Sequence, residues 1–202
     1  MPTMMASTTA CSPSLIDRLR GWLSVLLLAW ATLAWSAEIE IANPQLVPGD
    51  DGYVLNADFS FDFNARLEEA VTRGVVLPFV VDFELTRPRW YWFDEKAVVR
   101  SKTYRLSYHA LTRQYRLSSG GGLHQSYESL TEALRVISRV REWAVVERGA
   151  VQPGEPYVAA LRMRLDLTQL PRPFQIAALG NREWSLASDW KTWPVTFTAE
   201  AK

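Results

Sequence analysis

The sequence carries its densest group of chemically capable side chains at residues 87–94, which read RPRWYWFD. Arginine binds anionic groups through a planar guanidinium, and tryptophan stacks on sugars or anchors protein interfaces. This interleaving of cationic and aromatic side chains is typical of a binding surface. Arg87, Arg89, Trp90 and Trp92 are therefore the candidate residues for binding a ligand or partner.

The same run has a purely structural interpretation. In it, the two tryptophans fill the core beneath the predicted helices, and the arginines form ion pairs with Asp82, Glu84 or Asp94. Aromatic side chains supply large buried areas in protein cores, so this interpretation needs no ligand. The sequence leaves both open.

Paired carboxylates are the second group that could do chemistry. Asp82 and Glu84 are spaced by two, as are alternate residues on one face of a strand, and Asp58 and Asp62 share a face in the same way. Such pairs can act as general acid and base in hydrolysis. They are equally typical of a solvent-facing strand. A hydrolytic or cell-wall-modifying enzyme that uses Asp82 and Glu84 is thus the alternative function.

Metal and cofactor chemistry finds little support. The chain has only two histidines, His109 and His124, and no Asp/Glu cluster beside either. The segment Asp50-Asp51-Gly52 lacks the calcium-loop pattern and is interpreted as a turn. Gly120-Gly121-Gly122 fits no phosphate-binding or dinucleotide-binding motif and is interpreted as a flexible loop. No catalytic residue, metal site or cofactor is predicted.

The N-terminal segment predicts the cellular localisation of the protein. Arg18 and Arg20 precede an uncharged apolar run at residues 21–35, and small residues follow at Ala34, Ser36 and Ala37. This arrangement is typical of a secretory signal peptide, predicted as residues 1–36. An uncleaved anchor is the alternative, in which case residues 15–36 would be the only membrane contact. Either way the remainder is expected to be periplasmic, or attached to the inner membrane and facing the periplasm.

Residues 37–202 have a length typical of one domain. The only cysteine, Cys11, lies before the apolar run, so a disulfide-free exported domain is predicted. Nucleic acid is not expected as a partner on that side of a membrane, whereas an envelope or membrane protein is.

Charge is distributed unevenly along the predicted domain. Residues 38–84 hold ten acidic and two basic residues, whereas residues 85–148 hold twelve basic and six acidic ones. The two segments could form faces of opposite sign. They could also lie side by side, so that neighbouring strands neutralise each other.

Hydrophobic periodicity predicts the elements of the first half. Tyr108 should face Tyr115 and Leu106 should face Leu117 in a hairpin, because this register aligns both apolar sets. The other predicted elements are strands at residues 38–47, 53–63 and 75–85 and a short helix at residues 64–73.

The second half is read in the same way. Ser129 and Glu132 form a capping box, which predicts a helix through Ala144 on the spacing of Leu134, Ile137 and Val140. A strand at residues 157–167, an extended corner at 171–173, a short helical turn at 174–179 and last strands within 183–197 complete the prediction. The fold class is therefore α+β: a mainly antiparallel sheet or sandwich with two short-to-medium helices.

Residues 84–95 and 104–116, together with the helix at 130–143 and the closing tryptophans Trp184, Trp190 and Trp193, resemble a known family. It is the exported bacterial domain-of-unknown-function family 4390. The resemblance covers essentially the whole predicted domain and implies an export signal and one compact domain. The family has no assigned activity, so no functional residue can be transferred. Its association with genes for a membrane-bound sensor kinase implies envelope signalling.

These observations favour a non-enzymatic binding or accessory module in the cell envelope, associated with a membrane sensor. A deep cleft lined by Asp82 and Glu84 would instead favour the enzyme.

Overall fold

The computed structural model describes residues 39–89, 91, 95–120 and 122–198. All of them belong to the second of two units into which the chain divides, Ser36–Lys202. The predicted signal peptide, Trp90, Trp92 and Asp94 lie outside the described residues. Within the described ranges, no helix has both the length and the apolar character needed to cross a bilayer.

The described residues form nine strands and three α-helices. The strands are β1 (Glu40–Gly49), β2 (Gly52–Ser60), β3 (Leu77–Arg87), β4 (Glu95–His109), β5 (Gln114–Ser119), β6 (His124–Tyr127), β7 (Arg139–Glu147), β8 (Pro156–Leu165) and β9 (Lys191–Thr196). The helices are α1 (Ala65–Thr72), α2 (Leu130–Ile137) and α3 (Arg172–Ala178), and short 3-10 helices occur at Leu167–Gln169 and Arg182–Trp184.

The strands form two sheets in which every described pairing is antiparallel. The smaller sheet has the order β1-β2-β7, and the larger has the order β6-β5-β4-β3-β8-β9. Buried side chains from both sheets and the three helices belong to one hydrophobic cluster. The predicted α+β fold with mainly antiparallel strands is confirmed.

Strand β3 lies at the centre of this core. Phe79, Val81, Phe83 and Leu85 have no exposed surface, as their alternation with Val80, Asp82 and Glu84 predicts. Burying a large apolar side chain contributes about 1.5–3 kcal/mol, so this strand supplies a major part of the hydrophobic stabilisation. It also positions the candidate site, because Arg87 is its last residue.

The predicted hairpin register is confirmed. Tyr108 pairs with Tyr115 and Leu106 pairs with Leu117, and the two tyrosine rings lie 5.0 Å apart. Strand β4 nevertheless begins at Glu95, well before Leu106, the first residue of the predicted pairing. Its first half has few apolar residues because it is largely exposed, so the alternation that reveals a strand is weak there.

The predicted helix after Ser129 is only half correct. The Ser129 hydroxyl accepts a hydrogen bond from the Glu132 amide at 3.2 Å, as the capping box requires, but α2 ends at Ile137. Val140 and Ala144 lie instead in β7, which pairs with β2. Their spacing of four fits one face of a helix, but in β7 Val140 is buried whereas Ala144 is exposed, because the pairing with β2 shifts register between them.

In the other two helices, local sequence signals predict one start correctly and miss the other. Asn64 caps α1 by accepting a hydrogen bond from the Leu67 amide at 3.0 Å, and Gly74 follows the helix with φ of 88°. The corner at residues 171–173 was predicted to be extended, but α3 already begins at Arg172. Proline is tolerated in a first helical turn because its missing N–H has no partner there anyway.

The uneven charge distribution is neutralised across neighbouring strands at two places. Asp58 of β2 pairs with Arg141 of β7, and Glu84 of β3 pairs with Lys96 of β4 at 2.8 Å. At these pairs the acidic and basic segments lie side by side rather than forming separate faces.

Candidate functional site

The candidate site lies where β3 turns into β4. Pro88 lacks the amide proton that a further ladder hydrogen bond needs, and β3 ends at Arg87. The last pair of the ladder joins Arg87 to Glu95, so residues 88–94 form the connection between the strands. Tyr91 is the described aromatic residue of this connection, and 67% of its surface is exposed.

A network of ion pairs holds the base of this connection. Arg87 donates from Nη2 to Oε2 of Glu95 at 2.7 Å and from Nη1 to Oε2 of Glu155 at 2.8 Å. Arg89 donates to the same oxygen of Glu95. Two guanidinium groups thus share one carboxylate, and a second carboxylate joins the β3–β4 hairpin to the start of β8.

The electrostatics of this network are mutually reinforcing. Hydrogen bonds from Arg87 lower the pKa of Glu95, and those to Glu155 and Glu95 raise the pKa of Arg87. Arg87 and Glu95 therefore both stay charged across the physiological pH range.

The structure brings together two of the four predicted binding residues. Arg87 and Arg89 meet at Glu95, while Trp90 and Trp92 lie outside the described residues. The structural interpretation predicted arginine pairs with Asp82, Glu84 or Asp94. Asp82 and Glu84 pair with other cations, Asp94 lies outside the described residues, and the described carboxylate partners are Glu95 and Glu155. Glu155 lies 68 positions from Arg87 in the sequence. The two side chains come together because β3 pairs with β8.

The carboxylates of the alternative enzyme hypothesis are each engaged by other groups. Asp82 accepts hydrogen bonds from Ser101 at 2.7 Å, Arg162 at 3.0 Å and Arg164 at 3.2 Å. Burial works to raise the pKa of Asp82, but these hydrogen bonds outweigh it and hold the pKa below its usual value. Such a group stays ionised and is a poor general acid.

Glu84 and the other predicted carboxylate pair give the same picture. Glu84 lies on the same face as Asp82 but has its own cation, Lys96. Asp58 pairs with Arg141, while Asp62 lies beyond the end of β2. Asp82, Glu84 and Asp58 are thus each paired with a cation, whereas the two carboxylates of a catalytic dyad share a proton.

The histidines lie on different strands. His109 ends β4 opposite Gln114, and His124 begins β6 opposite Ser118. Those two partners are four positions apart on β5, or roughly 13 Å along a strand. Among the described residues, no group of three or more His, Cys, Asp or Glu side chains could hold a metal ion.

The two glycine-containing segments are connections. Asp50 and Asp51 form the turn between β1 and β2, as predicted. Gly120 and Gly122 lie between β5 and β6 with φ of 54° and 81°. Gly120 and Gly122 therefore precede a strand, β6, which the sequence did not predict, rather than leading directly into a helix.

Four depressions on the surface of the described residues are open to solvent. One of them has a volume of about 300 Å³ and is lined by the α3 residues Gln175, Ile176 and Ala178 with Leu167, Thr168 and Leu179. The other three have volumes of about 100–190 Å³. None of the four is lined by Asp82, Glu84, Arg87 or Arg89.

Comparison with known proteins identifies the family. The family model described as "Domain of unknown function (DUF4390)" matches residues 36–194, and the chain belongs to this family. No curated protein and no solved structure is significantly similar to the chain.

Proposed function

We propose that this member of the DUF4390 family is an exported bacterial envelope protein whose domain is a non-enzymatic binding or accessory module. The signal-peptide pattern of residues 1–36 supports export, with an uncleaved anchor as the variant that keeps the domain on the inner membrane. The lone cysteine at position 11 is consistent with a domain that folds without disulfides. The domain then faces the periplasm.

The observation that carries the binding role is the ion-pair network beneath the β3–β4 connection. Arg87 joins Glu95 and Glu155 while Arg89 joins Glu95, so both ends of the connection are held before any partner arrives. A surface that is already ordered loses less conformational entropy on binding. The exposed ring of Tyr91 lies on it, and tyrosine is an enriched anchor residue at interfaces.

The partner that suits this surface is an envelope or membrane protein. Arginine and aromatic side chains together match a partner with acidic groups beside an apolar pocket. The family resemblance, through its gene association, makes a membrane-bound sensor kinase the first candidate. A nucleic acid is not a candidate on the far side of a membrane.

The enzyme alternative draws less support from the contacts. Acid–base catalysis needs one carboxyl group whose pKa lies near the working pH. Asp82 is held ionised by Arg162 and Arg164, and Glu84 is paired with Lys96.

The double change Arg89→Ala with Trp92→Ala tests the proposed surface. Interface anchors typically contribute 2 kcal/mol or more, so this variant should lose its partner in crosslinking and pull-down from envelopes. Circular dichroism should show an intact fold. The matched control is Arg172→Ala with Ile176→Ala, which removes a guanidinium and an exposed apolar side chain from α3.

The outcomes separate the hypotheses. Loss of the partner only in the Arg89/Trp92 variant supports the proposed surface. Loss of folding would show that the cluster is structural. Full capture by both variants would exclude the β3–β4 connection as the interface, and hydrolysis of envelope polymers abolished by Asp82→Asn would favour the enzyme.

A further inference from the structure

Where β4, β5 and β6 pair, at residues 104–109, 114–119 and 124–127, the outward face is basic and none of these described residues is a carboxylate. Pairing aligns Arg105 with Ser118 and His124 in one row, and Ser107 with Arg116 in the next. His109 follows on the same side of β4, and the buried residues Leu106 and Leu117 point the other way. We call Arg105, Ser107, His109, Arg116, Ser118 and His124 the polar face.

The two arginines of the polar face differ from others on this sheet. On β8, Arg162 and Arg164 both pair with Asp82. Arg105 instead donates to the neutral amide oxygen of Gln169 at 3.4 Å. Among the described residues, no carboxylate lies within ion-pair distance of Arg105 or Arg116.

The guanidinium groups of the polar face therefore remain available to an external anion. Arg105 and Arg116 lie on adjacent strands, two residue pairs apart along the ladder, with the inward-facing Leu106–Leu117 pair between them. Serine hydroxyls and histidine rings surround them, and all of these groups can donate hydrogen bonds. This donor set suits phosphate groups, which guanidinium binds with two parallel hydrogen bonds.

Two exposed leucines lie at the ends of β5. Leu111 in the β4–β5 turn has 92% of its surface exposed, and Leu123 in the β5–β6 connection has 82% exposed. Aliphatic side chains this exposed gain free energy when they leave water. Basic groups flanked by protruding apolar side chains are the combination found on surfaces that bind anionic lipid bilayers.

We propose that the polar face docks on an anionic lipid bilayer. Arg105 and Arg116 bind headgroup phosphates, and Leu111 and Leu123 enter the boundary between headgroups and acyl chains. The sequence predicted membrane contact only through residues 15–36, so this is a second contact, made by the folded domain itself. It does not depend on the proposed interface at the β3–β4 connection.

A fluorescent label on the full chain tests the proposal. Cys11→Ser removes the natural thiol, and Leu123→Cys then carries an environment-sensitive dye. We expect a blue shift with vesicles containing 30% phosphatidylglycerol and none with pure phosphatidylcholine. Two arginines near an anionic surface strengthen binding to the anionic vesicles about 30-fold relative to neutral ones. Arg105→Gln with Arg116→Gln, or 0.5 M salt, should therefore abolish the shift.

Two controls make the result specific. The dye at Ala150→Cys, in the β7–β8 connection, should not shift, even where the N-terminal segment holds the chain on the vesicle. Arg135→Gln with Arg172→Gln removes the same charge elsewhere and should leave the shift at position 123 unchanged. The proposal would be overturned if the dye at position 123 did not shift with anionic vesicles in the chain that keeps both arginines. It would also be overturned if the two double variants lost the shift equally. The proposal would also fail if the Arg105/Arg116 change weakened binding of polyphosphate but left vesicle binding intact. That result would indicate that the ligand is a soluble polyanion.

Discussion

Asp82 shows how a single carboxylate joins three strands. Its side chain is 14% exposed and accepts hydrogen bonds from β4 through Ser101 and from β8 through Arg162 and Arg164. The Arg162 guanidinium also lies 4.5 Å from the centre of the Trp190 ring. The central strand of the larger sheet is thus linked to both neighbours by polar contacts on one face.

We expect Asp82→Asn to lower the free energy of unfolding by about 1.5 kcal/mol at pH 7, because hydrogen bonds to a charged group are lost. The pKa of Asp82 is lower in the folded than in the unfolded state. Its stabilisation is therefore present above the unfolded pKa of about 3.9 and is lost as pH falls through the folded value.

The difference between the Asp82→Asn variant and the unchanged chain should accordingly shrink below pH 4. Urea melts at pH 7, 4 and 3 measure it. Asp62→Asn is the matched control, because that side chain is exposed, and its effect should be small at each pH. A difference that grows towards acid pH would contradict the assignment.

Gly52 and Gly74 give a paired test of backbone strain. Both have positive φ, 141° and 88° respectively, but a Cβ added at Gly52 would lie 2.0 Å from the Val146 carbonyl oxygen, whereas Gly74 has open space. We expect Gly74→Ala to cost about 1 kcal/mol from conformation alone. Gly52→Ala should cost roughly 3 kcal/mol or more, measured by chemical denaturation. Equal costs would mean that the β2–β7 pairing adjusts freely.

At the scale of elements, α2 and β7 show what periodicity can and cannot reveal. The start of α2 was predictable because Ser129 and Glu132 act within one turn. Its end was not, because Val140 and Ala144 continue the helical spacing although both lie in a strand. The burial of Val145 and Val146 depends on the neighbouring β2, which is distant in the sequence.

The degree of burial of each α2 side chain predicts how much its replacement lowers the free energy of unfolding. Ile137 is fully buried, so Ile137→Ala should cost about 2–5 kcal/mol. Leu134 is only half-buried, and Leu134→Ala should cost less than Ile137→Ala. Ser129→Ala should cost about 1 kcal/mol through the lost cap. Urea denaturation of the three variants measures the order, and a larger loss for Leu134 than for Ile137 would contradict the packing.

The ion pairs of the candidate site belong to the same scale. The sequence identified Arg87 and Arg89 as a group because they are neighbours in the chain. It could not identify Glu155 as their partner, since that contact exists only after β3 and β8 align. Local residue types therefore predict which side chains can form ion pairs, while the order of the strands determines which partners they contact.

At the scale of the whole molecule, export gives a direct test. If residues 1–36 are a signal peptide, mature protein should begin at Ala37 or within a few residues of it. N-terminal sequencing of the protein from cell envelopes measures this. A start at Met1 or Pro2 in the membrane fraction would instead establish the uncleaved anchor.

Both sheets depend on strands that are far apart in the sequence. The pairing of β2 with β7 joins Gly52 to Glu147, and the pairing of β3 with β8 joins Phe79 to Leu165. A chain that emerges N-terminus first cannot complete either sheet until β7 and β8 have followed. Contacts this distant in sequence make folding slow, because the entropy cost of closing long loops comes before the stabilising contacts form. We therefore expect the growing chain to stay unfolded until most of it has been synthesised, which leaves it in the extended form that a narrow translocation channel accepts.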